Sequence, residues 1–257
     1  MKLTILGSGT SQGIPVIACN CPVCQSDNKH DKRLRCSAML EINGQKIIFD
    51  AGPDFRYQML RNNVKDIRAI LLTHSHKDHI GGLDDVRAFN WVKQAAVDIY
   101  GNEKTREIVY KDFSYAFAAF RYPGVPEINY HIIEDAPFYI DDIQIIPIPV
   151  LHYQMTVLGF RINNFAYITD AKIISKRSME QLVGVEYLVI NALRKEKHIS
   201  HFNLEEALTV IKEVNPKCAF LTHIGHQMGL EKEISKELPT NVRLAYDTFE
   251  IEIPEKV

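Results

Sequence analysis

The chain has 257 residues, 46% of them hydrophobic and 24% charged, with a formal net charge of −2. That length can bury a full core, and the charge balance argues against the basic face of a dedicated nucleic-acid binder. The longest apolar runs, such as Ala69 to Leu72 and Tyr187 to Leu193, are far too short to span a bilayer. Met1 to Gly7 reads as a strand rather than a signal peptide, so the default expectation is a cytoplasmic protein without a membrane partner.

Short runs rich in Ile, Val, Phe and Tyr recur along the chain, bounded by Gly, Asn, Asp or Pro, and predict strands. In order they are Leu3–Leu6, Ala38–Ile42, Gln45–Phe49, Ala69–Leu72, Val97–Tyr100, Tyr130–Ile133 and Pro137–Ile140. Then come Ile143–Pro147, Thr156–Ile162, Phe165–Ile168, Tyr187–Asn191, Cys218–Leu221 and Arg243–Ala245. Asn43-Gly44 and Asn163-Asn164 sit between strand runs and read as tight hairpin turns, because these residues tolerate positive φ. Helices are predicted over Phe55–Asn62, Leu83–Trp91 and Glu103–Tyr110, and after Ser175 and Asn203. The last is the clearest: Asn203 can cap, Glu206 lies three residues on, and Asn215-Pro216 ends the apolar spacing. Strand-rich segments alternate with single helices, without a linker or internal repeat. This predicts one α/β (α+β) domain over residues 1–257, two mixed β-sheets in a sandwich flanked by helices.

The chemistry concentrates in Thr73-His74-Ser75-His76-Lys77-Asp78-His79, directly after an apolar run. Imidazole and carboxylate are the ligand types that hold zinc, manganese or iron(II). The order His-x-His-x-Asp-His can split into two pairs, each facing a different ion. Three further candidates, His152, Asp170 and His223, each follow a strand-like run, and strand ends gathered on one rim would bring them together. Asp50 also ends a strand, in Phe49-Asp50-Ala51-Gly52. The five cysteines are an odd number, which argues against a disulfide framework. Cys19, Cys21 and Cys24 have a spacing suited to thiolates converging on one ion, whereas Cys36 and Cys218 lie in apolar stretches and read as packed thiols.

His74-x-His76-x-Asp78-His79 resembles the metal-binding motif of the metallo-β-lactamase superfamily, and nearly the whole chain shares the likeness. The opening Leu6-Gly7-Ser8-Gly9-Thr10-Ser11-Gln12-Gly13-Ile14-Pro15 and the cysteine cluster are similar to the PhnP-type cyclic phosphodiesterases within it. The resemblance implies a four-layer αββα sandwich. It implies one ion held by His74, His76 and His152, a second by Asp78, His79 and His223, and Asp170 bridging. Two such ions, manganese, zinc or iron(II), roughly 3.5–4 Å apart, would share a hydroxide that attacks phosphorus. Asp50 would orient a ligand imidazole. Cys19, Cys21 and Cys24, closed by His226, would hold a structural zinc in the N-terminal loop at about 19–24.

His198-Ile199-Ser200-His201-Phe202-Asn203 resembles the general-acid region of phosphodiesterase members, with His201 favoured as proton donor and His198 as support. Backbone N–H groups of Gly7-Ser8-Gly9-Thr10 and the side chains of Arg194 and Lys195 are candidate phosphate contacts. The expected substrate is a small, cyclic phosphodiester, and the resemblance also implies a homodimer. A tRNA 3′-processing nuclease would use the same residues, but no long Gly- and Lys-rich arm is present to grip tRNA. A non-enzymatic carrier resembling PqqB is the third alternative, and the intact His-x-His-x-Asp-His run argues against it.

Overall fold

The computed structural model describes residues 1–120 and 122–254. Strands appear wherever β-branched and aromatic runs meet a turn residue. They are β1 (Lys2–Gly7), β2 (Ser37–Ile42), β3 (Gln45–Phe49), β4 (Ala69–Leu71), β5 (Val97–Gly101), β6 (Ile128–Ile132) and β7 (Phe138–Ile140). They continue as β8 (Ile143–His152), β9 (Met155–Ile162), β10 (Phe165–Ile168), β11 (Ile173–Ile174), β12 (Tyr187–Asn191), β13 (Cys218–Thr222), β14 (Val242–Leu244) and β15 (Glu250–Glu252). One sheet has the order β15-β1-β2-β3-β4-β5-β6; the other runs β11-β8-β9-β10-β12-β13-β14, with β7 paired to β8.

The sheets pack face to face through Leu3, Ile5, Leu40, Ile47, Phe49, Phe160, Phe165, Tyr167, Val189 and Phe220, all buried. Phe49 is the hinge of this layer. Its ring stacks on Tyr167 at 4.7 Å between centroids and meets Phe165 edge-on at 6.0 Å. Helices Phe55–Arg61 and Arg87–Lys93 lay Phe55, Met59 and Phe89 on the outside of the first sheet. Helix Leu204–Val214 covers the second sheet with Leu204, Ala207 and Ile211. The result is the four-layer αββα sandwich. Asn203 and Glu206 form the expected reciprocal cap, and Asn215 ends the helix in the left-handed region.

Four details differ from the sequence reading. β8 runs on to His152, past Pro147 and Pro149, because those prolines fall where its second edge is unpaired. β7 pairs only with Ile143 to Ile145 and β11 only with Val150 and Leu151, so no ladder bond is lost. β11 and β15 are too short to leave a periodic signal. The segment from Leu83 opens with a 3₁₀ turn, Leu83–Val86, before the α-helix Arg87–Lys93. At Asn163-Asn164 only Asn163 takes positive φ, whereas Asn43-Gly44 does so at both positions. No helix among the described residues is long and apolar enough to cross a membrane.

Candidate active site

The central strands run parallel (β3 with β4, β10 with β12, β12 with β13), so their C-terminal ends open on one rim. Asp50 follows β3, Thr73 to His79 follow β4, Asp170 follows β10 and His223 follows β13, while β8 delivers His152 as its last residue. Three of these residues leave their strands by turning sharply: Asp50, Asp170 and His223 have φ of 62°, 55° and 54°. Such left-handed backbone at non-glycine residues is uncommon and persists where the surroundings over-determine it. The ligand loop also depends on Gly52, whose absent Cβ would lie 1.9 Å from the Asp78 carbonyl oxygen.

Asp170 is the centre of the cluster. Its Oδ1 lies 3.1 Å from His223 Nε2 and 3.5 Å from His79 Nε2; its Oδ2 lies 3.2 Å from His201 Nε2 and 3.6 Å from His74 Nε2. Asp78 Oδ2 stands 3.2 Å from His79 Nε2 and 3.5 Å from His223 Nε2. Donor atoms converge in three groups that share Asp170: Asp78, His79, Asp170 and His223; His74, His76 and Asp170; His152, Asp170 and His201. His152 thus groups with His201, while its ring remains 5.2 Å from that of His76. The expected metal ligands His74, His76, Asp78, His79, His152, Asp170 and His223 all reach this rim, and His201 joins them. His198 stands behind His201, their Nδ1 atoms 3.2 Å apart.

The surroundings aim these side chains. Buried Asp50 accepts from His79 Nδ1 at 2.7 Å, from the Thr73 N–H at 2.8 Å and from the Thr73 hydroxyl at 2.9 Å. His79 Nε2 is thereby turned toward Asp78 and Asp170. His152 Nδ1 donates to the Ser200 carbonyl at 2.8 Å, which frees Nε2 for the site. The Thr169 hydroxyl donates to Asp170 Oδ1 at 2.7 Å. Burial alone would favour neutral carboxyls, but His79 and His223 hold both Asp78 and Asp170 far below the usual carboxylate range. Burial pushes the His74 imidazole well below its ordinary value; His79, equally buried, is driven above it by Asp50, Asp170 and Asp78. His152 and His201 are lowered, chiefly by burial.

This arrangement fits divalent metal. Nε2 of His74, His79 and His223 is buried without a hydrogen-bond partner, although carboxylate oxygens lie close. Lone pairs of imidazole and carboxylate face common points instead of one another, which is costly unless a cation stands between them.

A second convergence lies nearby. Cys19, Cys21 and Cys24 place their sulfurs 3.3, 3.4 and 3.6 Å from His226 Nδ1. Burial opposes ionisation of Cys21, yet the Cys24 N–H and His226 bring its thiol down to about 6, while burial pushes Cys24 up to about 11. Three sulfurs and one nitrogen in reach of one another match the donor types of a closed, four-ligand zinc site. Of the other cysteines, Cys36 is buried and Cys218 partly so, as expected of packed thiols.

The expected phosphate-binding N–H groups of the N-terminal turn are taken up within the fold. The N–H groups of Ser8, Gly9 and Thr10 donate to Asp247, Leu34 and Ile224. Lys195 pairs with Glu237 at the surface, and Arg194 donates one N–H to the Lys197 carbonyl while its Nε has no partner. The cation at the mouth is Lys104, which lines an open pocket of about 720 Å³ with His76, His152 and Tyr153. Sequence reasoning missed both Lys104 and Tyr153. The only signal was their position, each next to a strand end that feeds the rim.

Residues 45–224 match the family described as the beta-lactamase superfamily domain. A protein named octanoyltransferase from Porphyromonas gingivalis is 36% identical over 259 residues, covering 100% of this chain and 52% of that protein. A ribonuclease Z from Nostoc punctiforme is 29% identical over 166 residues, 63% of this chain and 46% of the enzyme. The chain therefore spans about half the length of these curated relatives. A crystal structure described as a new diphosphatase from the PhnP family superposes with a TM-score of 0.91 at 37% identity, covering 97% of this chain and 96% of that one. Motif, fold and family match agree: the chain belongs to the beta-lactamase superfamily and has the metallo-β-lactamase fold.

Proposed function

We propose that this chain is a metal-dependent phosphodiesterase acting on a small, cyclic phosphodiester. The observation that carries the reading is Asp170, one carboxylate shared by three donor groups, with His201 set against it. His74, His76, His152 and Asp170 would hold one divalent ion, and Asp78, His79, His223 and Asp170 the other, as manganese, zinc or iron(II). When bound, such ions supply Lewis acidity toward phosphoryl oxygens and lower the pKa of water to near neutrality. Cys19, Cys21, Cys24 and His226 would hold a structural zinc.

The remaining work falls to the chain. Ser200 Oγ lies 3.0 Å from His201 Nδ1 and can donate to it, which leaves the proton on Nε2, the nitrogen that faces the cluster. His201 can then give that proton to a leaving alkoxide. The Ser200 N–H donates to His198 Nδ1 at 3.3 Å, so Ser200 links the two rings and His198 packs beside His201. A diphosphatase and a ribonuclease Z among the relatives support chemistry at phosphorus. The octanoyltransferase is about twice this length, and the imidazole–carboxylate cluster here is suited to activating water rather than carrying an acyl group.

The test is hydrolysis of bis(p-nitrophenyl) phosphate and 2′,3′-cyclic nucleotides by protein loaded with Mn²⁺, Zn²⁺ or Fe²⁺. Turnover should vanish in Asp78→Ala and fall about 10²–10⁴-fold in His201→Ala. No turnover in protein shown to hold its metals would refute the phosphodiesterase reading.

A further inference from the structure

The hairpin that carries His152 has an unusual turn. β8 and β9 pair through His152 and Met155, leaving Tyr153-Gln154 as a two-residue connection. Such turns require positive φ at the first central residue and normally place Asn, Asp or Gly there. Here the position is a tyrosine with φ of 54°. No other aromatic six-membered ring among the described residues adopts this backbone. A bulky side chain held in that region is costly, and such outliers cluster where function needs them.

What the strain achieves is placement. Tyr153 is 54% exposed, and its hydroxyl has no hydrogen-bond partner among the described residues. It stands at the mouth of the open 720 Å³ pocket, which is also lined by exposed His76 and buried His152. The same mouth is lined by Ile199, 68% exposed, by Met155 and by Lys104. Lys104 makes no ion pair among the described residues, although many lysines of this chain do. An unpaired ammonium and an apolar, aromatic wall thus share one opening above the imidazoles.

The geometry points to Tyr153 as the specificity-determining residue of the site: it receives a planar aromatic group carried by the phosphoester, while Lys104 meets phosphoryl charge. The flat ring, with Ile199 and Met155 beside it, suits a nucleobase or aryl ring better than a bare sugar or alkyl chain. Lys104 adds attraction that does not depend on the substituent. This inference rests on the phosphodiesterase reading for what happens at the imidazole–carboxylate cluster, but the subsite itself is testable by binding.

Calorimetric titration of the metal-loaded protein with adenosine 5′-monophosphate and ribose 5-phosphate compares the same phosphate with and without a base. The wild type should prefer the nucleotide by about tenfold, within the range found for stacking one base on an aromatic side chain. Tyr153→Asn should abolish that preference while leaving ribose 5-phosphate unchanged, and Tyr153→Phe should keep it. Asn is the residue the turn favours, so the variant should melt no lower than wild type and a folding defect cannot mimic the result. Lys104→Gln should weaken both ligands alike. Equal binding of the two ligands by the wild type, or an unchanged preference in Tyr153→Asn, overturns the assignment. Preference lost in Tyr153→Asn in a protein that hydrolyses no phosphodiester supports the subsite and overturns only the proposed reaction.

Discussion

Asp50 offers the sharpest test of how the site is built. Its side chain is fully buried and accepts from the Thr73 N–H, the Thr73 hydroxyl and His79 Nδ1. In chelator-treated Asp50→Ala the hydroxyl can donate to His74 Nδ1, 3.0 Å away, once the His74 proton moves to Nε2, but the other two donors have no alternative. A buried donor left unpaired costs about 1–3 kcal/mol, so two of them cost about 2–6 kcal/mol. Part of that is offset, because burial also penalises the Asp50 carboxylate and raises its pKa. The expected net loss is about 3 kcal/mol, which lowers the urea midpoint of chelator-treated protein by about 1–1.5 M. Freed of its anchor, His79 should also lose metal affinity, by about 10–100-fold. Asp50→Asn keeps one acceptor oxygen and should recover part of the stability. A midpoint within about 0.3 M of wild type in Asp50→Ala would show that the three contacts do not hold the ligand loop, and the reasoning would fail.

Other perturbations probe other layers. Phe160→Ala empties space between the sheets beside Phe49 and should cost about 3–5 kcal/mol in urea unfolding, with less than 2 kcal/mol arguing that the gap closes. His226→Ala should remove one zinc equivalent per chain by atomic emission and lower Tm by about 5 °C or more; unchanged zinc content would break the assignment of that donor set. Asp98 tests acid stability. Burial opposes its ionisation, but His131 and Arg68 hold the carboxyl below its ordinary value of 3.8. A depressed folded-state pKa stabilises above the unfolded value and is lost as pH falls through the folded one. The stability gap between wild type and Asp98→Asn should therefore shrink as pH falls below about 4; a gap that grows over that range would contradict the sign.

Much of this could be read from residue order because local rules and fold agree. Phe165–Ile168 and the first four residues of Tyr187–Asn191 are unbroken apolar runs since both faces of those strands are covered. Asn203 and Glu206 mark a helix start because a cap is a short-range device. Convergence was legible for His74 to His79, which share one loop, and for Cys19, Cys21 and Cys24. That His152, Asp170 and His223 meet them depends on the register of parallel strands, which spacing alone does not encode; there the family resemblance supplied the set. The Gly7-Ser8-Gly9-Thr10 turn misled because its N–H groups look free in sequence and are consumed by Asp247, Leu34 and Ile224, none of them its neighbours. Lys104 and Tyr153 stayed hidden because a lone lysine and a lone tyrosine carry no pattern.

The stretch from His223 to His226 reaches two donor clusters at once. Between them, Ile224 exchanges backbone bonds with the N-terminal segment, donating to the Ser8 carbonyl and accepting from the Thr10 N–H, while the Gly225 N–H donates to Leu193. Both ends of this four-residue span are therefore clamped, and its middle is stitched to two other segments. Surface loops ordinarily absorb an inserted or deleted residue at small cost. Here a single-residue insertion would take His226 away from the cysteines or His223 away from Asp170. Among descendants of this sequence the spacing should outlast the identity of the residues within it. Length, more than composition, is the inherited trait of this loop.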